Sequence, residues 1–222
     1  SAYAEACGGS PGGLCRVDGP KTEVDIAAWM FNMTADRHST QLKLHWATVP
    51  KAYNNHALLW SRSAYVAPQV HPFDRYLFNR STNAWSVQHF LQDVNNRYGG
   101  IDALSLWPTY PNLGADDRNQ FDLYRALPGG LAALTTVTAQ LLASNVSTLW
   151  AYLFWDTGTR REDNTDERVV AELLKQTGGR GINGDSLPFV PKSFWDASVS
   201  TNWPIGLQAE GGARDEALPW ST

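Results

Sequence analysis

The sequence predicts an α/β fold of the (β/α)8 barrel type, present in part (about half to five-eighths of the ring), with a short β-rich N-terminal extension. Three observations predict it. Strand, loop and helix patterns recur, with strand starts near 101, 148, 182 and 205 and roughly 23 to 47 residues between them. Glycines precede these strands and polar loops follow them. The most apolar stretch, Leu131 to Trp155, is interrupted by Thr135, Thr136, Gln140, Asn145 and Ser147. It therefore divides into a buried helix and a strand and does not supply the ~20 mostly apolar residues of a membrane span.

Residues 1–22 are rich in Gly and Pro and suit an extended arm. Residues 23–222 form the barrel-like domain, with a β-rich stretch over 23–62 and repeated β/α units over 83–222. In the first stretch "VDIAAWMFNM", "QLKLHWATV" and "HALLWSR" are short apolar pieces bounded by polar residues, as strands are. After them, "STNAWSVQHFLQDVNNRYGG" has capping candidates at Ser81 to Asn83 and apolar residues at Trp85, Val87, Phe90, Leu91 and Val94. Gly99 and Gly100 then end it as a helix. "IDALSLW" is a strand, followed by a long loop from Pro108 to Pro128. "GGLAALTTVTAQLLASN" is a helix, "STLWAYLFW" a strand, "DERVVAELLKQTGG" a helix and "GINGD" a strand. A short helix at "PKSFWDA" and a strand at "IGLQAE" complete the series. That makes four well-marked parallel strands, with one or two before them. A closed barrel takes eight strands and about 250 residues. The ring would then be completed by a portion beyond Thr222 or by another protein chain. An open doubly wound sheet is the competing arrangement.

Composition narrows the function classes. The chain has 222 residues, 43% hydrophobic and 18% charged with a net charge of −4, which is globular and not a disordered acidic tail. It has no basic run, and its pI of about 5.7 lacks the electrostatic footprint of a nucleic-acid binder. Ten Trp, eight Tyr and eight Phe make 12% of the chain aromatic. Flat apolar rings serve cores and sugar-stacking sites alike. Cys7 and Cys15 in "CGGSPGGLC" suit a small disulfide loop, which contributes ~2–3 kcal/mol and implies an oxidising compartment. Sequons at Asn32, Asn79 and Asn145, and a chain that starts at Ser1 with no methionine, agree with a mature secreted or extracellular protein.

Two motif matches fail on context. Gly179, Gly181 and Gly184 fit G-x-G-x-x-G, but they follow a helix and run into a strand. A dinucleotide loop must leave a strand and open a helix, since the pyrophosphate sits on the helix N-terminus. Gly178, Gly179 and Gly181 instead suit a helix C-cap and a turn into a strand. Gly8 to Gly12 fits G-x-S-x-G, but Pro11 lacks the N–H that would serve as oxyanion donor. The histidines at 38, 45, 56, 71 and 89 have no H-x-x-x-H spacing and do not neighbour the strand-end acids in the sequence. "DNTDE" and "GADDRNQFD" hold loop oxygens that suit calcium, without regular ligand spacing. No cofactor and no metal centre is expected.

Polar residues gather at the expected C-terminal ends of the strands, which converge on the mouth of a parallel barrel. The first strand runs into "WPTYP" with Trp107 and Tyr110, the second into "WDTGTRRED" with Asp156, Arg160 and Arg161. The third carries Asn183 and Asp185, the fourth Gln208 and Glu210. Carboxylates on successive strands suit glycoside cleavage, where one protonates the leaving oxygen and the other attacks or activates water. Each residue also has a plainer role: Asp185 as a cap of the next helix, Asp156 as an ion-pair partner of Arg160 or Arg161, Glu210 as a loop residue, Trp107 and Tyr110 as a roof over the core.

"FWDTGTRRED", "GINGD" and "LQAEGG" resemble the (β/α)8 glycoside hydrolases, broadly the α-galactosidase and α-glucosidase-like kind, over about Tyr98 to Trp220. The resemblance implies a nucleophilic aspartate at a strand end, which falls on Asp185. It implies a W-x-x-G-like end on the preceding strand, at Trp155 to Gly158. The family's acid/base lies on a later strand, and Glu210 takes that role here. Gly184 stands before Asp185 where relatives carry a lysine one or two residues earlier. The function expected is a secreted glycoside hydrolase-like protein with carbohydrate as partner. Asp185 and Glu210 would be catalytic, and Asp156, Arg160, Arg161, Asn183, Trp107 and Tyr110 would touch the sugar. The alternative is a non-catalytic extracellular structural or assembly glycoprotein on the same fold.

Overall fold

The computed structural model describes residues 55–110, 112–187, 189, 191–211, 217 and 220–221. The chain divides into two compact units, Ser1–Pro50 and Lys51–Thr222, and all the described residues belong to the second. Cys7, Cys15, Asn32 and the strands expected at "VDIAAWMFNM" and "QLKLHWATV" lie outside the described residues.

A 3-10 helix, His56–Ser63, is the first element. "HALLWSR" is therefore helical where a strand is expected. Asn55 supplies the reason: its side chain accepts from the Ala57 N–H and caps the turn, and Leu58 is the buried residue of the segment. The strands are β1 (Gln69–Val70), β2 (Phe78–Asn79), β3 (Ala84–Trp85), β4 (Ala103–Leu106), β5 (Ser147–Leu153), β6 (Gly181–Asp185) and β7 (Gly206–Ala209). The α-helices are α1 (Val87–Tyr98), α2 (Gln120–Arg125), α3 (Gly130–Ala143), α4 (Asp166–Thr177) and α5 (Lys192–Ser200).

Five strands form one parallel sheet in the order β1-β4-β5-β6-β7, while β2 and β3 pair antiparallel. The order follows the chain with no reversal. A doubly wound sheet reverses at its switch point, so the succession is that of a barrel wall, five of the eight strands a closed ring takes. Ser221 makes an isolated parallel bridge to Leu207, which continues the same succession past β7.

The strands have two faces. Leu104, Leu106, Trp150, Tyr152, Ile182 and Leu207 join Phe90 and Val94 of α1, Leu134, Val137 and Leu141 of α3, and Val170 and Leu174 of α4 in the main core. Trp107, Ala151 and Leu153 form a second cluster with Leu113. Side chains alternate along a strand and paired positions share a face. Because Leu153 pairs with Asp185, Ala151 with Asn183, and Asn183 with Gln208, the polar strand-end residues share the face of the second cluster.

Glycines permit this packing. Gly178 caps α4 at φ 77°, a left-handed conformation costly for other residues. At Gly181 a Cβ would stand 2.6 Å from the Gly206 carbonyl oxygen and 2.9 Å from Leu149. Three elements are shorter than expected patterns reveal. The β1 strand and the β2–β3 hairpin contain two residues per strand. Ala84 and Trp85 thus leave the helix expected to begin near Ser81, and α1 starts at Val87. Within the expected loop Pro108 to Pro128 lies α2, opened by a capping box in which Asn119 and Asp122 bond each other's backbone N–H.

Among the described residues no helix is long and apolar enough to cross a membrane.

Candidate functional site

The half-buried Asp185 closes β6, and its carboxylate Oδ2 accepts two hydrogen bonds. The Tyr110 hydroxyl donates at 2.7 Å and the Trp155 indole Nε1–H at 3.2 Å. These donors come from the loops after β4 and β5, the two strands that precede β6 in the sheet. Three rings stand in a row there: Trp107 and Tyr110 lie 6.1 Å apart at 24°, and Tyr110 and Trp155 lie 6.1 Å apart at 19°. Trp107 is buried, whereas Tyr110 is 46% and Trp155 41% exposed. Large apolar rings left open to solvent beside a carboxylate form an amphipathic platform.

Burial first, then the hydrogen bond to Asp185 and the negative charges of Asp185 and Glu210, push the Tyr110 phenol up to about 12. It is therefore a neutral donor at neutral pH. The influence of Glu210 on this phenol places both acids around Tyr110.

Glu210 follows β7, next to β6. Its N–H donates to the Gly184 carbonyl at 3.2 Å, and its Oε2 accepts the Ser186 N–H at 2.5 Å. Ser186 has a φ of 54°, so the turn leaving Asp185 is held in a left-handed conformation by the next strand's acid. One residue pair down the same face, the Asn183 amide Nδ2 donates to Gln208 Oε1 at 2.8 Å. Asp185, Glu210, Asn183, Trp107 and Tyr110 are therefore gathered on one face at the C-terminal strand ends.

Asp156, Arg160 and Arg161 belong to a different set of bonds. The buried Asp156 accepts from the Gln120 N–H at 2.9 Å and from the Thr159 hydroxyl at 2.5 Å. Arg160 forms a fork on Asp122 at 2.9 and 2.8 Å and reaches Glu162 at 2.6 Å. Arg161 donates to the Asp156 carbonyl at 2.8 Å and stands 3.4 Å from Asp166. Their bonds fasten the loop after β5 to α2 and α4. The acids weighed as calcium ligands serve such pairs too, Asp116 with Arg118 and Asp166 with Tyr152.

Of the sequons, Asn79 sits in β2 with its side chain accepting the Ser81 and Thr82 N–H groups at 2.9 and 3.2 Å. Asn145 is exposed at φ 61° between α3 and β5.

Two contributors were hidden in the sequence. Trp155 stands in the W-x-x-G-like strand end, but only the stacked loop shows it donating to Asp185. His71 follows β1 directly, and the continued β1–β4 register brings it beside Trp107, whose N–H donates to the Val70 carbonyl at 2.9 Å. Its Nδ1 accepts the Phe73 N–H at 3.2 Å, and its buried Nε2 has no partner among the described residues. Burial and the Arg80 charge pull its pKa down, against the Tyr110 backbone, which favours a proton on the ring. No spacing rule could find it, because β1 and β4 are far apart in the chain.

No protein-family model matches the chain, and no curated protein matches it significantly. Among solved structures it is similar to an α-amylase from Geobacillus thermoleovorans complexed with acarbose, at 12% identity and a TM-score of 0.40 over 65% of this chain and 46% of that one. An isomaltulose synthase from Erwinia rhapontici NX5 matches at 12% and 0.38, over 65% and 44%. A beta-arabinopyranosidase matches at 10% and 0.34, over 72% and 26%. The chain spans less than half the length of each of these three structures. At such scores the likeness says nothing about this chain's chemistry, which rests on its own residues.

Proposed function

We propose that the protein is a glycoside hydrolase-like protein that takes a carbohydrate at the C-terminal mouth of its β/α barrel. The observation that carries this is Asp185 at the end of β6, bonded to the two exposed rings of a three-ring row, with Glu210 at the end of the adjacent strand. A sugar presents apolar C–H faces and polar hydroxyls together. Tyr110 and Trp155, backed by the buried Trp107, suit the first, and the Asn183–Gln208 amide pair suits the second.

In this reading Asp185 is the nucleophile or the charge stabiliser and Glu210 the acid/base. An Asp185 lone pair meets the anomeric carbon as its bond to the leaving oxygen breaks, and Glu210 gives that oxygen a proton. Water then replaces the carboxylate and returns the proton to Glu210, so one water is consumed per bond cleaved. Asp156, Arg160 and Arg161 act behind the site by holding the loop that carries Trp155. The Cys7–Cys15 pair and the three sequons support a place outside the cell.

A panel of aryl and oligosaccharide glycosides, assayed with wild type and Asp185→Asn, tests the reading. Hydrolysis by the wild type and its loss in the variant is the expected result. Activity unchanged in Asp185→Asn sinks the assignment. A second reading, carbohydrate binding without turnover, is favoured by the Ser186 N–H that already occupies Glu210 Oε2 at 2.5 Å. Sugar binding by a wild type that hydrolyses nothing in the panel would select it.

A further inference from the structure

The two oxygens of Asp185 are not equivalent. Tyr110 and Trp155 both donate to Oδ2, at 2.7 and 3.2 Å, and among the described residues Oδ1 receives no hydrogen bond. Both donors are themselves fixed. Tyr110 lies between the two indoles, with nearly parallel rings on either side at 24° and 19°. Trp155 follows Leu153, whose backbone is clamped by the Gln120 amide at 2.8 Å in each direction.

We infer that Tyr110 and Trp155 are positioning residues for Asp185: they pin Oδ2 and leave Oδ1 as the oxygen that meets the sugar. This assignment rests on the glycosidase reading above. A carboxylate held through one oxygen keeps a defined rotamer, so the other oxygen is presented in a single direction. A neutral phenol is suited to that task, since it donates without placing a second charge beside the carboxylate. The three-ring row thus has two tasks, an apolar surface for the ligand and a scaffold for the acid.

Tyr110→Phe keeps the ring between Trp107 and Trp155 and removes only the hydroxyl. On a hydrolysed aryl glycoside, kcat should fall about tenfold or more, the scale of a lost hydrogen bond to a charged group, while KM stays within about threefold. A rise in KM with kcat unchanged overturns the inference and leaves Tyr110 a sugar platform alone. A second measurement does not depend on activity. Carbon NMR of labelled tyrosine should show the Tyr110 phenol titrating at about 12 in the wild type. It should titrate lower in Asp185→Asn, where the charge it faces is gone. A titration indifferent to that change overturns the pairing itself. A wild type that hydrolyses no glycoside removes the glycosidase reading and the reacting-oxygen assignment with it, while the NMR result still decides whether Tyr110 holds Asp185.

Discussion

Gln120 and Leu153 exchange two hydrogen bonds, the side-chain amide donating to the Leu153 carbonyl and accepting its N–H, each at 2.8 Å. Leu153 is the last residue of β5, and past that end a parallel strand has no backbone partner of its own on this side. A fully buried glutamine thus does what another strand would do, and it stands two residues before Trp155. Gln120→Leu keeps the volume and orphans both backbone groups. It should lower stability by about 2–4 kcal/mol, read from urea unfolding, and reduce any activity through Trp155. A variant within 0.5 kcal/mol of wild type, a margin of about one surface substitution, contradicts this account.

Close strand approach at Gly181 makes a second prediction. A methyl there would meet the Gly206 carbonyl at 2.6 Å, and backbone cannot step aside as a side-chain tip does. Gly181→Ala should cost roughly 1–3 kcal/mol and disturb the β6–β7 pairing that carries both acids. Gly184→Ala meets Leu187 Cδ2 and Cβ at 2.7 and 2.9 Å, with the Gln208 carbonyl oxygen farther off at 3.3 Å, and should be milder in thermal unfolding.

At low pH the α2 network should fail first. The Arg160 hydrogen bond, followed by that of Arg125, holds Asp122 below the usual carboxylate range, against burial. Burial raises Glu162, but the Arg125 and Asn119 bonds outweigh it and leave its pKa low as well. A depressed folded pKa contributes stability that is present above the unfolded value, about 3.9 for Asp, and lost as pH falls through the folded one. Asp122→Asn should therefore flatten the acid limb of a stability–pH curve below about pH 4. An unaltered limb speaks against the network.

The alkaline side has the opposite sign. The Tyr110 phenol titrates at about 12 when folded, against about 10 unfolded. Its contribution is complete below pH 10 and is lost as pH rises through about 12, about the folded value. Tyr110→Phe should lose less stability over that window than the wild type, measured by chemical unfolding at successive pH values. Equal losses in both proteins would show that the phenol is not coupled to folding.

The sequence by itself determined four parallel strands, starting near 101, 148, 182 and 205 and found at 103–106, 147–153, 181–185 and 206–209, because each has an apolar run, a glycine turn before it or a polar loop after it. It also located Asp185 and Glu210 at strand ends, since the alternation of strand and helix fixes which end faces the loops. The G-x-G-x-x-G match resolves as a C-cap at Gly178 and strand contact at Gly181 for the same local reasons. What escaped was short or distant. β1, the β2–β3 hairpin and α2 contain too few residues for a periodic pattern, although Asn119 and Asp122 carried a capping-box signal.

Only the tertiary structure decided which polar residues meet. Tyr110 is 75 positions from Asp185 and Trp155 is 30, and their convergence depends on the strand order β4-β5-β6. The same packing turns Asp156, Arg160 and Arg161 toward α2 and α4, although they follow a strand end as Asp185 does. Local sequence specifies which strand end a side chain occupies. Which neighbours it finds there is set by register and by the loops from other strands, and those contacts exist only once the sheet has formed.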